Sequence, residues 1–550
     1  MEGVGHTSYG EARCATFSLA MVSDLYAQMQ TFECDTEPYA QQRDAAIRKQ
    51  AESNDVDLIV EQGHTLHDME HLEGIAKGKP PRAYNKFLSL LKQAGKVPDA
   101  KAAPSASDIP PISSCSGLDE SLHCASLPSA SAEGHAAGSG NFEKSSWLYG
   151  VPSLAQLGYP SPTVATSRFP GGESEGLRRL ARHMGRKEWV AAFKKPDTQP
   201  TSLEPDTTGL SPYLKFGCVS VRDMYHQLQE VYAAASSHSS PPQSLEGQLL
   251  WREFFYFQGF TTENYDTMKG NGVSKQIPWD QSDKLISAWE NSQTGYPWID
   301  AAMTQLREEG WLHHLARHAV ACFLTRGDLY QNWEAGAKVF DKYLLDSDWA
   351  LNNGNWMWLS ASAYFHQFFR VYSPVAFPKK TDKNGDYIRK WLPQFKNFPA
   401  KYIYEPWKAP ASVQQQHGVV VGDSYPERVV VHEDVSKRNI SRHSDAYKAH
   451  KAGHTGGIPD SISGIGATQV ASLAPAAQMQ PGKGTTAFHA STDPDSGAAA
   501  VGSGASQPGT KRARSPSASG SDAAETSSKQ ARSGSGSETG SILSVSDDSE

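Results

Sequence analysis

His314 and His318 stand four residues apart in the stretch GWLHHLARHAVACFL, residues 310–324. On a helix that spacing puts both imidazoles on one face, one turn apart. The rest of that face is apolar. Three chemistries suit such a pair. The rings can be satisfied core histidines, the plainest outcome for a helical His. They can present two nitrogens to zinc, as His-x-x-x-His does on a helix. They can also act as acid and base toward a buried substrate. The zinc reading lacks other ligands at plausible spacing, so no metal site is assigned.

Other polar groups fall within apolar stretches and need partners. TTGLSPYLKFG, residues 207–217, sets Thr207, Thr208 and Ser211 around Gly209 and Leu210, just before a helical run. Hydroxyls and free amides at such a turn suit a phosphate, although Ser and Thr cap most helices. In EGQLLWREFFY, residues 246–256, Gln248, Trp251 and Arg252 interrupt an apolar helix. A buried Gln or Arg requires hydrogen-bond partners. LLDSDWALNNGNWMWLS, residues 344–360, puts Asp346, Asp348 and Asn352 among aromatics. Buried carboxylates need a cation or several donors, and Arg317 on the histidine helix is a candidate. A solvent-facing acidic loop is the alternative.

The elements that must position these groups follow from composition. The chain has 550 residues and a net charge of −8, which excludes a basic nucleic-acid coat. Six cysteines without a CxxC pair (Cys14, Cys34, Cys115, Cys124, Cys218 and Cys322) read as free thiols. No run of eighteen apolar residues predicts a membrane span, and no secretory signal is visible. TFECD and VDLIVEQ read as short strands flanking the helical YAQQRDAAIRKQAES, which makes a parallel βαβ unit. Residues 100–145 are rich in Ala, Ser, Pro and Gly and predict a linker. Residues 146–450 are dense in aromatics at helical spacing. Residues 451–550 collapse to Gly, Ser, Ala and Thr, a composition that cannot fold alone.

At this point the motifs carry a resemblance. WREFFY, QIPWD, TGYPWIDAAMTQLREEGWLHHLARHAVACFLTRGDLY, YLLDSDWALNNGNWMWLSASAYFHQFFRVYSP, KTDKNGDYIRKWLP and YIYEPWKAP resemble the photolyase/cryptochrome family, in the branch of (6-4) photolyases and animal-type cryptochromes. The likeness runs from about residue 31 to 450, outside the low-complexity insertion. It implies a mostly α-helical domain that binds FAD, preceded by a truncated Rossmann-like parallel α/β domain and followed by a disordered tail. It implies that Lys195 and Thr207, Thr208, Gly209, Leu210 and Ser211 serve the FAD phosphates. Gln248, Arg252, Asp346, Ser347 and Asp348 would border the cofactor, Arg317 would pair with Asp346, and Asn352 would face the flavin N5. Trp356, Trp333 and Trp279 match the family's electron-transfer chain. Tyr330, three residues before Trp333, is added as a fourth relay at the surface.

Gln248, His314 and His318 side with the (6-4) branch rather than with enzymes that repair cyclobutane dimers. In that branch His314 is nearest the lesion and donates a proton, and His318 supports it. Trp251, Trp358 and Tyr372 would wall the substrate pocket, with Gln248 beside them. Arg370 would contact a DNA strand, ahead of a basic run of Lys379, Lys380, Lys383, Arg389 and Lys390. The predicted function is light-driven repair of (6-4) photoproducts, with a photoreceptor acting through protein partners as the alternative. The predicted partners are damaged DNA and, through the tail, signalling proteins. KRAR (511–514) and KQAR (529–532) resemble a two-part import signal and predict a nuclear location, with cytoplasm or plastid otherwise. Residues 1–30 match nothing placed, and the family's opening strand is absent. With the α/β domain incomplete, no antenna chromophore is predicted.

Overall fold

The computed structural model describes residues 29–54, 56–102 and 168–452. The chain separates into a unit over residues 1–460 and another over 461–550, and the second lies outside the described residues. So do the linker at 103–145 and the two basic clusters of the tail.

The predicted βαβ unit is present. Strand β1 (Met29–Glu33) leads through helix α1 (Pro38–Ser53) to strand β2 (Asp57–Glu61). The strands pair in parallel, from Met29↔Asp57 to Glu33↔Glu61. Pro38 opens α1, where its fixed φ suits the first helical position. Helices α2 (Met69–Ala76) and α3 (Tyr84–Ala94) then pack Leu72, Phe87 and Leu90 onto the central helix, α6 (Leu245–Phe260).

Helix α6 is apolar on nearly every side, as a buried helix must be. Its polar residues fasten the βαβ unit to the helical part. Glu253 accepts from the Leu66 amide at 2.8 Å, and Arg252 donates to the His64 carbonyl. From α5 (Val221–Ala234), Arg222 donates to the Gln62 carbonyl at 2.8 Å and the Thr65 carbonyl at 3.1 Å. The loop after β2 thus finds partners for its backbone on the helices, which is what a buried loop requires.

The remaining longer helices are α4 (Glu173–Met184), α7 (Asp283–Glu290), α8 (Pro297–Glu309), α9 (His314–Cys322), α10 (Trp333–Tyr343), α11 (Trp349–Leu359) and α12 (His432–Lys451). A core containing Trp289, Trp298, Trp333 and Trp356 lies among them. Gly310 ends α8 at φ 66°, and a Cβ there would meet Leu345 Cγ at 2.7 Å. The Leu345 amide donates to the Gly310 carbonyl at 2.8 Å. This close approach brings residues 345–348 beside the start of α9.

Candidate functional site

Helix α9 begins at His314, so His314 and His318 do share a face. Their ring centroids lie 6.0 Å apart at 82°. Protein surrounds both rings, yet each keeps partial solvent exposure. Tyr372 stands 6.5 Å from His318 and packs on Phe377. Burial, then Lys195, His313, His318 and Arg317, hold His314 well below the ordinary imidazole range. Burial, then Lys195 and further cations, bring His318 to about 3. In the protein by itself both rings are therefore neutral at pH 7. They meet edge to face and do not hydrogen-bond one another.

The predicted acidic partner is in place. Arg317 Nη2 donates to Asp346 Oδ2 at 2.9 Å, and its Nε donates to the Leu312 carbonyl at 2.9 Å. Asp346 Oδ1 is buried and accepts no hydrogen bond. A buried anionic oxygen with a free lone pair fits a ligand N–H. Gly209 turns at φ 60° with Leu210 buried behind it, and Ser211 opens a short helix with its side chain exposed. Thr207 and Thr208 are half-buried in that turn. Asn352 donates to the Ala337 carbonyl at 2.9 Å, which ties α11 to α10.

Two models of known families match this chain. "FAD binding domain of DNA photolyase" matches residues 244–445, and "DNA photolyase" matches residues 14–106. The chain is 46% identical over 418 residues to Cryptochrome-1 of Rattus norvegicus, covering 76% of this chain and 67% of that protein. It is 47% identical over 424 residues to the (6-4)DNA photolyase of Arabidopsis thaliana, covering 76% and 71%. The chain belongs to the photolyase/cryptochrome family. It spans 63% of Cryptochrome-1 of Gallus gallus, so more than a third of that relative lies outside the shared region. Its fold matches the Synechocystis sp. PCC6803 cryptochrome, with TM-score 0.61 and 24% identity over 78% of this chain and 81% of that one. A class III photolyase from Agrobacterium tumefaciens gives TM-score 0.58 at 24% identity over 79% and 83%. The family match begins at residue 14, upstream of the strand where the sequence reading started it.

Within this photolyase/cryptochrome chain several side chains depart from their predicted places. Lys195, expected at the phosphates, instead acts electrostatically on His314 and His318; burial and then Arg317 lower its ammonium to about 8. Arg252 turns to the interdomain loop and lies over the Tyr256 ring at 4.6 Å. Ser347 donates to Asp341 at 2.7 Å, an exposed bond. Asp348 caps α11 by accepting from the Leu351 amide at 3.0 Å, and it also accepts from the Tyr256 hydroxyl. Lys215 and Arg252, set against burial, hold its carboxyl below the usual range. Gln248 donates to the Pro242 carbonyl at 3.1 Å and keeps its amide oxygen.

Of the predicted wall residues, Trp251 and Trp358 meet each other, while Tyr372 lies beside His318. Trp251 stacks on Tyr84 at 3.8 Å and meets Trp358 edge to face at 5.1 Å. Trp358 stacks on Phe365 at 5.6 Å. Arg370 is exposed, and its carbonyl is held by buried Arg326 at 2.8 Å. Of the basic run, Lys379 pairs with Glu405 at 2.9 Å and Arg389 donates to the carbonyls of Phe395, Lys396 and Phe398. Those two cations serve the fold, whereas Lys380, Lys383 and Lys390 are exposed.

Along the predicted relay, a Cβ on Gly336 would strike the Trp356 ring, so Trp356 lies against α10, which begins at Trp333. Trp279 is half-buried and 4.9 Å from Tyr330. Tyr330 is not at the surface: it is 0% exposed and lies outside the helix, at φ 55°. Arg442 of α12 covers it at 3.8 Å. Sequence spacing did not show that cover. Among the described residues no three His, Cys, Asp or Glu side chains are grouped to hold a metal, and no helix is long and apolar enough to cross a membrane.

Proposed function

We propose that this chain uses FAD and blue light to repair (6-4) photoproducts in DNA. The observation that supports it best is the enclosed pair His314 and His318, faced by Lys195 and closed by Tyr372. FAD, when bound, supplies the electron that such repair needs. Asp346 with Arg317, the turn at residues 207–211 and Asn352 are the groups that would hold it, and the unsatisfied Asp346 oxygen fits that task.

The chain's own residues then have three jobs. Trp251, Trp358 and Tyr372 stack the bases of a dinucleotide turned out of the duplex. Lys195 sets a positive charge against the lesion. His314 moves a proton between the two linked bases. Its resting neutrality is consistent with this, because the phosphodiester of a bound dinucleotide offsets Lys195 and Arg317 and raises the imidazole toward neutral pH. Lys380, Lys383 and Lys390, with Arg370, supply phosphate contacts that position the duplex without reading its sequence.

Photoreception through a protein partner is the second reading. It is favoured by Tyr330 lying beneath Arg442, because α12 is the helix that leads into residues 453–550. Single-turnover repair of lesion-bearing duplex with reduced flavin under blue light separates the two. Repair that is lost in His314→Ala, with FAD retained, supports the enzyme. A wild-type chain that holds FAD and repairs nothing moves the protein to the photoreceptor reading.

A further inference from the structure

A group that exchanges a proton does so at one nitrogen, so whatever fixes the tautomer of His314 also fixes which atom can work. The structure contains such a device. The Thr198 hydroxyl donates to the Lys195 carbonyl at 2.8 Å. The same oxygen lies 3.4 Å from His314 Nε2. A hydroxyl has a single proton to give. With that proton spent on Lys195, Thr198 can only accept from the ring, so Nε2 must carry the hydrogen.

The neighbouring ring is fixed in the same sense. His313 Nδ1 accepts from the Leu315 amide at 3.2 Å, which leaves the His313 proton on Nε2. That nitrogen is 3.0 Å from Asp206 Oδ1, a close contact without the geometry of a hydrogen bond. The His313 ring lies on His314 with centroids 4.3 Å apart at 37°. Asp206 Oδ2 in turn accepts from the Gln199 amide at 2.6 Å. One loop, residues 198–206, is therefore closed on itself and delivers both Thr198 and Asp206 to the two histidines. Among the described residues no donor or acceptor engages His314 Nδ1.

We propose that this loop is a tautomer lock, in which Thr198, braced by Asp206 and His313, holds His314 as the Nε2–H imidazole and leaves Nδ1 to take and return the proton. Thr198 is thus a positioning residue, and its part in repair rests on the function proposed above. The charged and titratable groups facing His314 are Lys195, His313, His318 and Arg317, with Asp206 beside His313 and Asp346 beside Arg317.

The test is nitrogen NMR of the full-length, FAD-loaded protein labelled with 15N-histidine, with the His314 signals identified by their loss in His314→Gln. The lock predicts the Nε2–H form in wild type, a mixture of tautomers in Thr198→Val, and recovery of the single form in Thr198→Ser. Repair in Thr198→Val should fall about tenfold or more in kcat with KM unchanged and a shifted pH profile, and Thr198→Ser should restore it. An Nδ1–H tautomer in wild type overturns the lock, as does a Thr198→Val spectrum identical to wild type. If the wild-type protein shows the Nε2–H form but no repair, the lock stands and the proposed function falls.

Discussion

Replacing Asp346 by Asn tests the proposed cofactor site. Asp346 is 4% exposed at its side chain and Arg317 is 21% exposed, with 2.9 Å between Oδ2 and Nη2. Breaking a fully buried ion pair costs about 3–5 kcal/mol. Here Arg317 keeps its bond to the Leu312 carbonyl and some contact with water, and an Asn oxygen can still accept from it. The cost to the protein without cofactor is therefore smaller, about 2 kcal/mol. The effect on FAD is larger. With its oxygen turned to Arg317, the Asn amide puts a donor where Asp346 Oδ1 now offers a free acceptor. Losing a charge-assisted bond of about 1.5–3 kcal/mol weakens binding roughly 10- to 100-fold. The assay pairs urea unfolding of the apoprotein with flavin absorbance retained after dialysis against known FAD concentrations. Wild-type FAD affinity in Asp346→Asn would refute the reasoning even if stability fell, because the unsatisfied oxygen would then not be the cofactor's acceptor.

Two more outcomes follow from the charges. His314 and His318 lie below their unfolded value near 6.5, His318 at about 3. The unfolded chain therefore binds more protons between those limits, and stability falls as pH drops from about 6.5 toward 3, by about 1.4 kcal/mol per pH unit for each such ring. Urea midpoints between pH 7 and 5 should show this slope, and His318→Gln should flatten it by about one histidine's share; an unchanged slope would mean His318 already titrates normally. For DNA, converting Lys380, Lys383 and Lys390 to Gln together should lower the slope of log affinity against log salt by about 2–3. Lys379→Gln and Arg389→Gln should instead reduce stability with the slope kept, since both are engaged within the fold. A triple variant with the wild-type salt slope places the DNA elsewhere.

The sequence by itself determined what local pattern and spacing can determine. The βαβ unit was legible because its strands and helix have distinct periods. The shared face of His314 and His318 followed from helical geometry alone, and the charge pair of Arg317 with Asp346 from the need of a buried carboxylate for a cation. The motifs carried the family. The tertiary structure decided the rest, because direction and contact depend on segments far apart in the chain. Lys195 acts on the two histidines, although the resemblance implied the phosphates, because the loop it begins folds back onto α9. Arg252 was expected beside the cofactor but turns toward the βαβ unit, since the loop after β2 leaves carbonyls there that need donors. Tyr330 is three residues from Trp333 but not one helical turn away, because α10 starts only at Trp333 and α12 returns to cover it with Arg442. The protonation of the two histidines was equally out of reach: an imidazole's ordinary pKa is a property of the residue, and its shift here is a property of the burial and cations that the fold gathers around it.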